Sequence, residues 1–174
     1  MKPNIPLTGQ ERVLGEKEII VSKTDLTGKI TYANKKFLEI SDYSESEVIG
    51  IQHNVIRHPD MPRTVFKFLW DRLNKGEEVF AYVKNLCKNG DHYWVLAHVT
   101  PSWSDDNTVL GYHSNRRAPD PAIVSNTIAP LYKKLVQQET SGGSPKTALE
   151  ASYTLLKSFI DEQGGNYDDW LFSL

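Results

Sequence analysis

The sequence holds a single cysteine, Cys87, so it can form no internal disulfide and no multi-cysteine zinc or iron–sulfur site. It has no run approaching the roughly 20 apolar residues that span a bilayer. Its opening stretch, MKPNIPLTGQERVLGEKE, has no apolar signal-peptide core. Neither sign of charge dominates: 20 Lys and Arg stand against 22 Asp and Glu, a net charge of −2, and the basic residues are scattered. This balance argues against nucleic-acid binding and membrane insertion. The five histidines show no ligand spacing, and no Ser/His/Asp or paired-carboxylate arrangement stands out, so neither a metal site nor an enzyme is expected. One cysteine and no export signal make the cytoplasm the expected address.

What is present is material for one good core: 39% hydrophobic and 10% aromatic residues in a chain of 174. Residues 1–17, with Pro3, Pro6, Gly9 and Gly15 among charges, read as an arm that is ordered only where it packs on something. EIIVSKT, DLTGK and ITYAN then predict a hairpin, with Asn34 placed to cap the next helix. KKFLEIS and YSESEVIG are short helical segments, the second with Ser44 and Glu47 at capping-box spacing. PDMPRTVFKFLWDRLNKG predicts the longest helix of this half, with Asp60 as N-cap and Phe66, Leu69, Trp70 and Leu73 on one face. EEVFAYVKNLCK and DHYWVLAHVTPSW flank Asn89-Gly90, the strongest short hairpin signal, and VLGYHSNRR follows as a third strand.

The order β-β-α-α-α-α-β-β-β gives an α+β class: a five-stranded antiparallel sheet with short helices on one face. Residues 18–118 form this domain. Residues 119–139 add a flanking helix that Pro130 should break or kink, 140–146 a flexible joint, and 147–174 a helical tail. The tail has an apolar stripe of Ala148, Ala151, Tyr153, Leu155, Leu156, Phe159 and Ile160, which needs a sheet or a second subunit to cover.

Three stretches narrow the class: HNVIRHPDMPRTVFKFLWDRLNKGE, VKNLCKNGDHYWVLAHVTP and GYHSNRR. Together they resemble the FAD-binding PAS domain of bacterial aerotaxis receptors, over roughly residues 18 to 135. The resemblance implies a PAS fold holding FAD between sheet and helices, and a redox or oxygen signal. Receptors of that family continue into a membrane anchor, a HAMP segment and a chemoreceptor signalling domain that this sequence lacks, so output is expected through a homodimer or a partner protein. Val79 and Phe80 stand where the family commonly has a tryptophan. NVIRHPD stands where photoactive relatives have the reactive cysteine, so no photoadduct is expected.

The resemblance assigns Arg57, His58 and Asp60 to FAD binding, in keeping with an arginine fork and a helix N-terminus facing a pyrophosphate. Asn54 and Asn85 are neutral amides in apolar surroundings, suited to a flavin's polar rim, with Asn34 a further candidate. Phe66, Trp70, Tyr93, Val95 and Val99 could supply the flat apolar walls of a ring pocket. The competing expectation is a PAS dimerisation or adaptor module whose pocket is empty or takes a small metabolite.

Overall fold

The computed structural model describes residues 5–174; Pro3, within the expected arm, lies outside them. The first hairpin forms because Asp25 organises its own turn. Its carboxylate accepts the backbone N–H groups of Thr27 (2.8 Å) and Lys29 (3.0 Å), and Gly28 takes the left-handed φ of 82° that closes the loop. Strand β1 (Ile20–Thr24) thereby pairs with β2 (Ile30–Ala33). Asn34 then caps α1 (Lys35–Ser41), its side-chain oxygen accepting the Phe37 N–H at 2.9 Å. In α2 (Glu45–Val48) the Glu47 carboxylate reaches back to the Ser44 N–H at 3.0 Å.

Four helical segments were expected before the meander, and three α-helices and one short 3₁₀ turn (His53–Ile56) are found. The third α-helix, α3, spans Arg63–Leu73, and Asp60 is not its cap. A tight turn from His58 to Met61 (N···O 3.0 Å) delays helical geometry until Arg63, leaving Pro62 at the cap position with no side-chain acceptor to offer. The acceptor comes from far along the chain instead: Glu139 binds the Arg63 and Thr64 N–H groups at 3.0 and 2.8 Å. Beyond the helix, Gly76 (φ 78°) turns the chain into the sheet.

Strands β3 (Val79–Leu86), β4 (His92–Trp103) and β5 (Val109–Arg117) form the meander, and the sheet order is β2-β1-β5-β4-β3. The central β5 pairs antiparallel with both β1 and β4. At the β3–β4 turn Gly90 has φ 97°, and the N-terminal arm crosses so closely that a Cβ there would lie 2.0 Å from the Pro6 carbonyl. The arm is tied down by the Asp91 carboxylate, which accepts from Thr8 (2.6 Å) and Arg12 (2.9 Å), and by burial of Leu14.

After β5 the chain forms one turn, α4 (Pro121–Ile123), then widens into a π turn (Val124–Ile128) before α5 (Ala129–Thr140). Pro130 does not break the run. The wide turn just before it gives room to a residue that has no N–H and whose ring would crowd the preceding turn of a regular helix. The tail folds as α6 (Pro145–Glu162), capped by Ser144, and α7 (Tyr167–Ser173). Its buried row is Ala148, Ser152, Leu156 and Ile160, whereas Leu155 of the expected stripe is exposed. Helix α6 packs on α5 and α3 rather than on the sheet, and α7 packs on β3.

These helices close the outer edge of β3. The Tyr132 hydroxyl donates to the Tyr82 carbonyl at 2.7 Å and the Tyr167 hydroxyl to the Phe80 carbonyl at 2.8 Å, while His58 N–H reaches the Lys84 carbonyl at 3.4 Å. Tyr132→Phe removes the partner of a buried carbonyl and should lower unfolding free energy by about 1–3 kcal/mol. Urea unfolding measures it, and Tyr167→Phe should act in the same direction.

Candidate functional site

Between sheet and helices lies a cavity of about 220 Å³. Alternate residues of the sheet form one wall: Ser22 and Thr24 of β1, Val83 and Asn85 of β3, Ala97 and Val99 of β4, and Tyr112, Ser114 and Arg116 of β5. Helix α3 forms the opposite wall with Phe66, Leu69, Trp70 and Leu73. Gln52, His53, Asn54, Ile56 and Arg57 close the side, and Gly28 lies close under Trp70, a Cβ there meeting its ring at 3.6 Å. Trp70 stands edge-on to Tyr112, ring centroids 5.2 Å apart. Its lining combines an apolar and aromatic surface with polar groups on the sheet and on the Gln52–Arg57 side.

The charge at its base is unusual. Arg116 is buried, and among the described residues no carboxylate pairs with it. One guanidinium nitrogen, Nη2, donates to Ser22 Oγ at 2.9 Å and to His53 Nε2 at 2.7 Å. Arg116 can only donate, so His53 Nε2 must accept and the imidazole must be neutral. Burial, reinforced by the adjacent guanidinium, holds His53 at a pKa of about 3. Burial also lowers Arg116, to about 10, which still leaves it charged at neutral pH. The second nitrogen, Nη1, finds no partner, and neither do Asn85 Nδ2 and Ser114 Oγ, although all three are buried. Three unsatisfied polar atoms on one cavity wall are the pattern of a site built for a polar-rimmed ligand.

The expected site residues divide. Asn54, Arg57, Phe66, Trp70 and Asn85 line the cavity, as does Val99, and the Arg57 guanidinium stands 5.3 Å over the Phe66 ring. Asn34 does not: it is spent on capping α1, its amide also donating to the Ile19 carbonyl. Tyr93 lies on the same sheet face but beyond the cavity wall, fully buried in the core. His58 and Asp60 sit behind the wall. The Asp60 N–H donates to His58 Nδ1 at 3.1 Å, and the Asp60 carboxylate pairs with Lys84 at 2.7 Å, so the two fasten the Arg57 loop to β3. Burial and Lys84 hold His58 at a pKa of about 4. The helix N-terminus expected to face a pyrophosphate is taken by Glu139.

Sequence reasoning missed Arg116, His53, Ser22 and Ser114. The available signal was the period of two on β5, which puts Tyr112, Ser114 and Arg116 on one face of a central strand. Cys87 lies outside the cavity, its thiol donating to the Ile40 carbonyl, and burial pushes its pKa up to about 12.

The sheet order, the helices on one face and the cavity between them define the PAS class, and residues 30–115 match the family model described as the PAS fold. The chain carries a PAS domain. It is 43% identical over 136 residues to the aerotaxis receptor of Escherichia coli (strain K12), a match covering 78% of this chain and 26% of the receptor. It is 26% identical to the biofilm dispersion protein BdlA of Pseudomonas aeruginosa, over 79% of this chain and 33% of that one. The chain thus spans only a quarter to a third of these relatives. Among solved structures, one from a study of the light-oxygen-voltage domain mechanism with a flavin analogue superposes with a TM-score of 0.57. It shares 18% identity and covers 67% of this chain and 87% of that one. No helix among the described residues is long and apolar enough to cross a membrane.

His53 and His58, neutral in the fold, are protonated in the unfolded chain below their ordinary pKa of 6.5. The unfolded state then binds more protons, so stability falls as pH drops from 6.5 toward 4. Unfolding free energies from urea titrations between pH 7 and 4.5 should decline by an amount on the order of 1 kcal/mol per pH unit for each histidine. The slope should flatten in His53→Gln.

Proposed function

We propose that the chain is a flavin-binding PAS sensor that takes FAD, acts in the cytoplasm and signals redox state or oxygen through protein–protein contact. The observation that carries this reading is the set of unsatisfied donors, Asn85 Nδ2 and Arg116 Nη1, on the wall of a cavity whose opposite side carries Phe66 and Trp70. An isoalloxazine ring has a planar apolar body and a rim of carbonyl oxygens and ring nitrogens that accept such donors. The residues present fit that group. The preference for FAD over FMN rests on the likeness to the aerotaxis receptor and on Arg57 at the side of the slot, where a phosphate-bearing tail would leave.

When bound, the flavin supplies reversible electron uptake at a ring whose nitrogens exchange protons. The chain's own residues set the conditions for it. Arg116 would offer a fixed positive charge and a donor to the ring's acceptors, and neutral His53 positions that guanidinium without neutralising it. Asn85 has both an amide donor and an oxygen, so it can answer a change of protonation by reversing its role. Leu69, Trp70, Val99 and Tyr112 give the slot an apolar lining, which strengthens polar interactions made inside it. Output through a homodimer or a separate partner is part of this reading, and the likeness to a receptor of which the match covers 26% supports it.

The purified protein should be yellow, and the chromophore released by denaturation should co-elute with FAD. A colourless protein that also fails to bind added flavins would remove the reading in favour of an adaptor module. Arg116→Gln loses a charge-assisted hydrogen bond of about 1.5–3 kcal/mol, so flavin affinity should drop roughly 10- to 100-fold. Fluorescence titration with riboflavin and FAD measures it. Arg57→Ala should weaken FAD and leave riboflavin nearly unchanged.

A further inference from the structure

Helix α3 has two working faces. Phe66, Leu69, Trp70 and Leu73 line the cavity. The opposite face is fastened at each turn to a different C-terminal helix. Glu139 of α5 caps the first turn through two backbone N–H groups. In the middle, Asp71 accepts the Tyr153 hydroxyl of α6 at 2.8 Å while Lys67 lies 4.6 Å over the Tyr153 ring. At the last turn Arg72 makes a two-pronged pair with Asp168 of α7, both contacts 2.7 Å, and Phe68 meets Tyr167 with ring centroids 4.5 Å apart. The sheet wall is five hydrogen-bonded strands, whereas α3 is a single helix whose cavity-side residues Phe66, Leu69 and Trp70 are only partly buried. A cavity of about 220 Å³ is below the roughly 300 Å³ at which pockets for drug-sized ligands begin. An occupant that fills so small a cavity presses on its walls, and α3 is the wall that is not held in a hydrogen-bonded sheet.

The shortest of the three attached helices is α7. It is seven residues long and follows Gly164 and Gly165, both at positive φ (107° and 81°). It is held by the Arg72 pair, the Tyr167 hydroxyl, the burial of Trp170 and Leu171, and ring contacts of Tyr167 with Phe68, Trp170 with Phe159 and Phe172 with Phe80. Helix α5, by contrast, is anchored by the fully buried Leu135 and by Tyr132.

We infer that α7 is a latch on α3 that reports cavity occupancy: a ligand in the slot moves α3 outward and loosens α7 from Arg72 and β3. The inference rests on the slot being a ligand site. Linkage makes the effect reciprocal, so loosening α7 favours the ligand by the same factor.

Hydrogen exchange by mass spectrometry on the full chain, with and without saturating riboflavin, reads the forward direction. Amides of residues 167–173 should exchange about fivefold faster or more with riboflavin bound, while β4 and β5 exchange no faster. Asp168→Asn reads the reverse: it should tighten riboflavin binding about fivefold or more. Riboflavin that binds without changing α7 exchange, or that binds Asp168→Asn no more tightly, overturns the latch and leaves the flavin reading standing. Ala97→Leu, with Val99→Leu as the milder variant, fills the slot from the sheet without any ligand. Selective loosening of 167–173 in these variants would support the latch, and if the unsubstituted protein binds no flavin it would do so while the flavin reading falls. No loosening in either folded variant would overturn the latch.

Discussion

The interior is organised around one unpaired positive charge. Placing a guanidinium in a protein core without a carboxylate costs several kcal/mol unless its donors find acceptors. Arg116 finds two, and both are neutral: the Ser22 hydroxyl and the His53 ring. That choice fixes the tautomer of His53 and joins β1, β5 and the 3₁₀ turn at one point. It also leaves a charged donor facing the slot, which biases the cavity toward an electron-rich occupant. A carboxylate in place of His53 would have neutralised the charge and removed that bias.

The second organising element is α3, which receives its N-terminal cap from a residue of α5. Because Pro62 offers no acceptor, the helix begins with free N–H groups unless the C-terminal helices are docked. The helix that walls the cavity is thus completed by residues outside the segment shared with the PAS family model. The sensory domain and the helices after it are one energetic unit.

Much of this was legible in the sequence. Asn89-Gly90 and the flanking β-favouring runs fixed the meander, and Ser44 with Glu47 gave the short helix its start. Asn54, Arg57, Phe66, Trp70 and Asn85 were recognisable as a group because they lie in the compositionally unusual stretches that carry the family likeness. His58 and Asp60 belong to the same stretch, but local turn geometry sends them behind the wall, and sequence proximity to Arg57 could not separate the two places. Arg116 was hidden because Arg116 and Arg117 are adjacent and only the register of β5 decides which one turns inward. Glu139 was illegible for another reason, since its role depends on how α5 returns across α3, which no local pattern encodes.

The tyrosine hydroxyls on β3 have a consequence for self-association. A sheet edge with free carbonyls and N–H groups invites another strand to add to it. Here Tyr132, Tyr167 and the Arg57–Met61 loop occupy the β3 edge, and the Gly50–Ile51 backbone bonds to Ile30 on the β2 edge. Two copies of this chain therefore cannot simply extend one another's sheets. Any dimer has to be written in side chains on a face, where partner choice can change by substitution while the backbone pairing that holds the domain stays untouched.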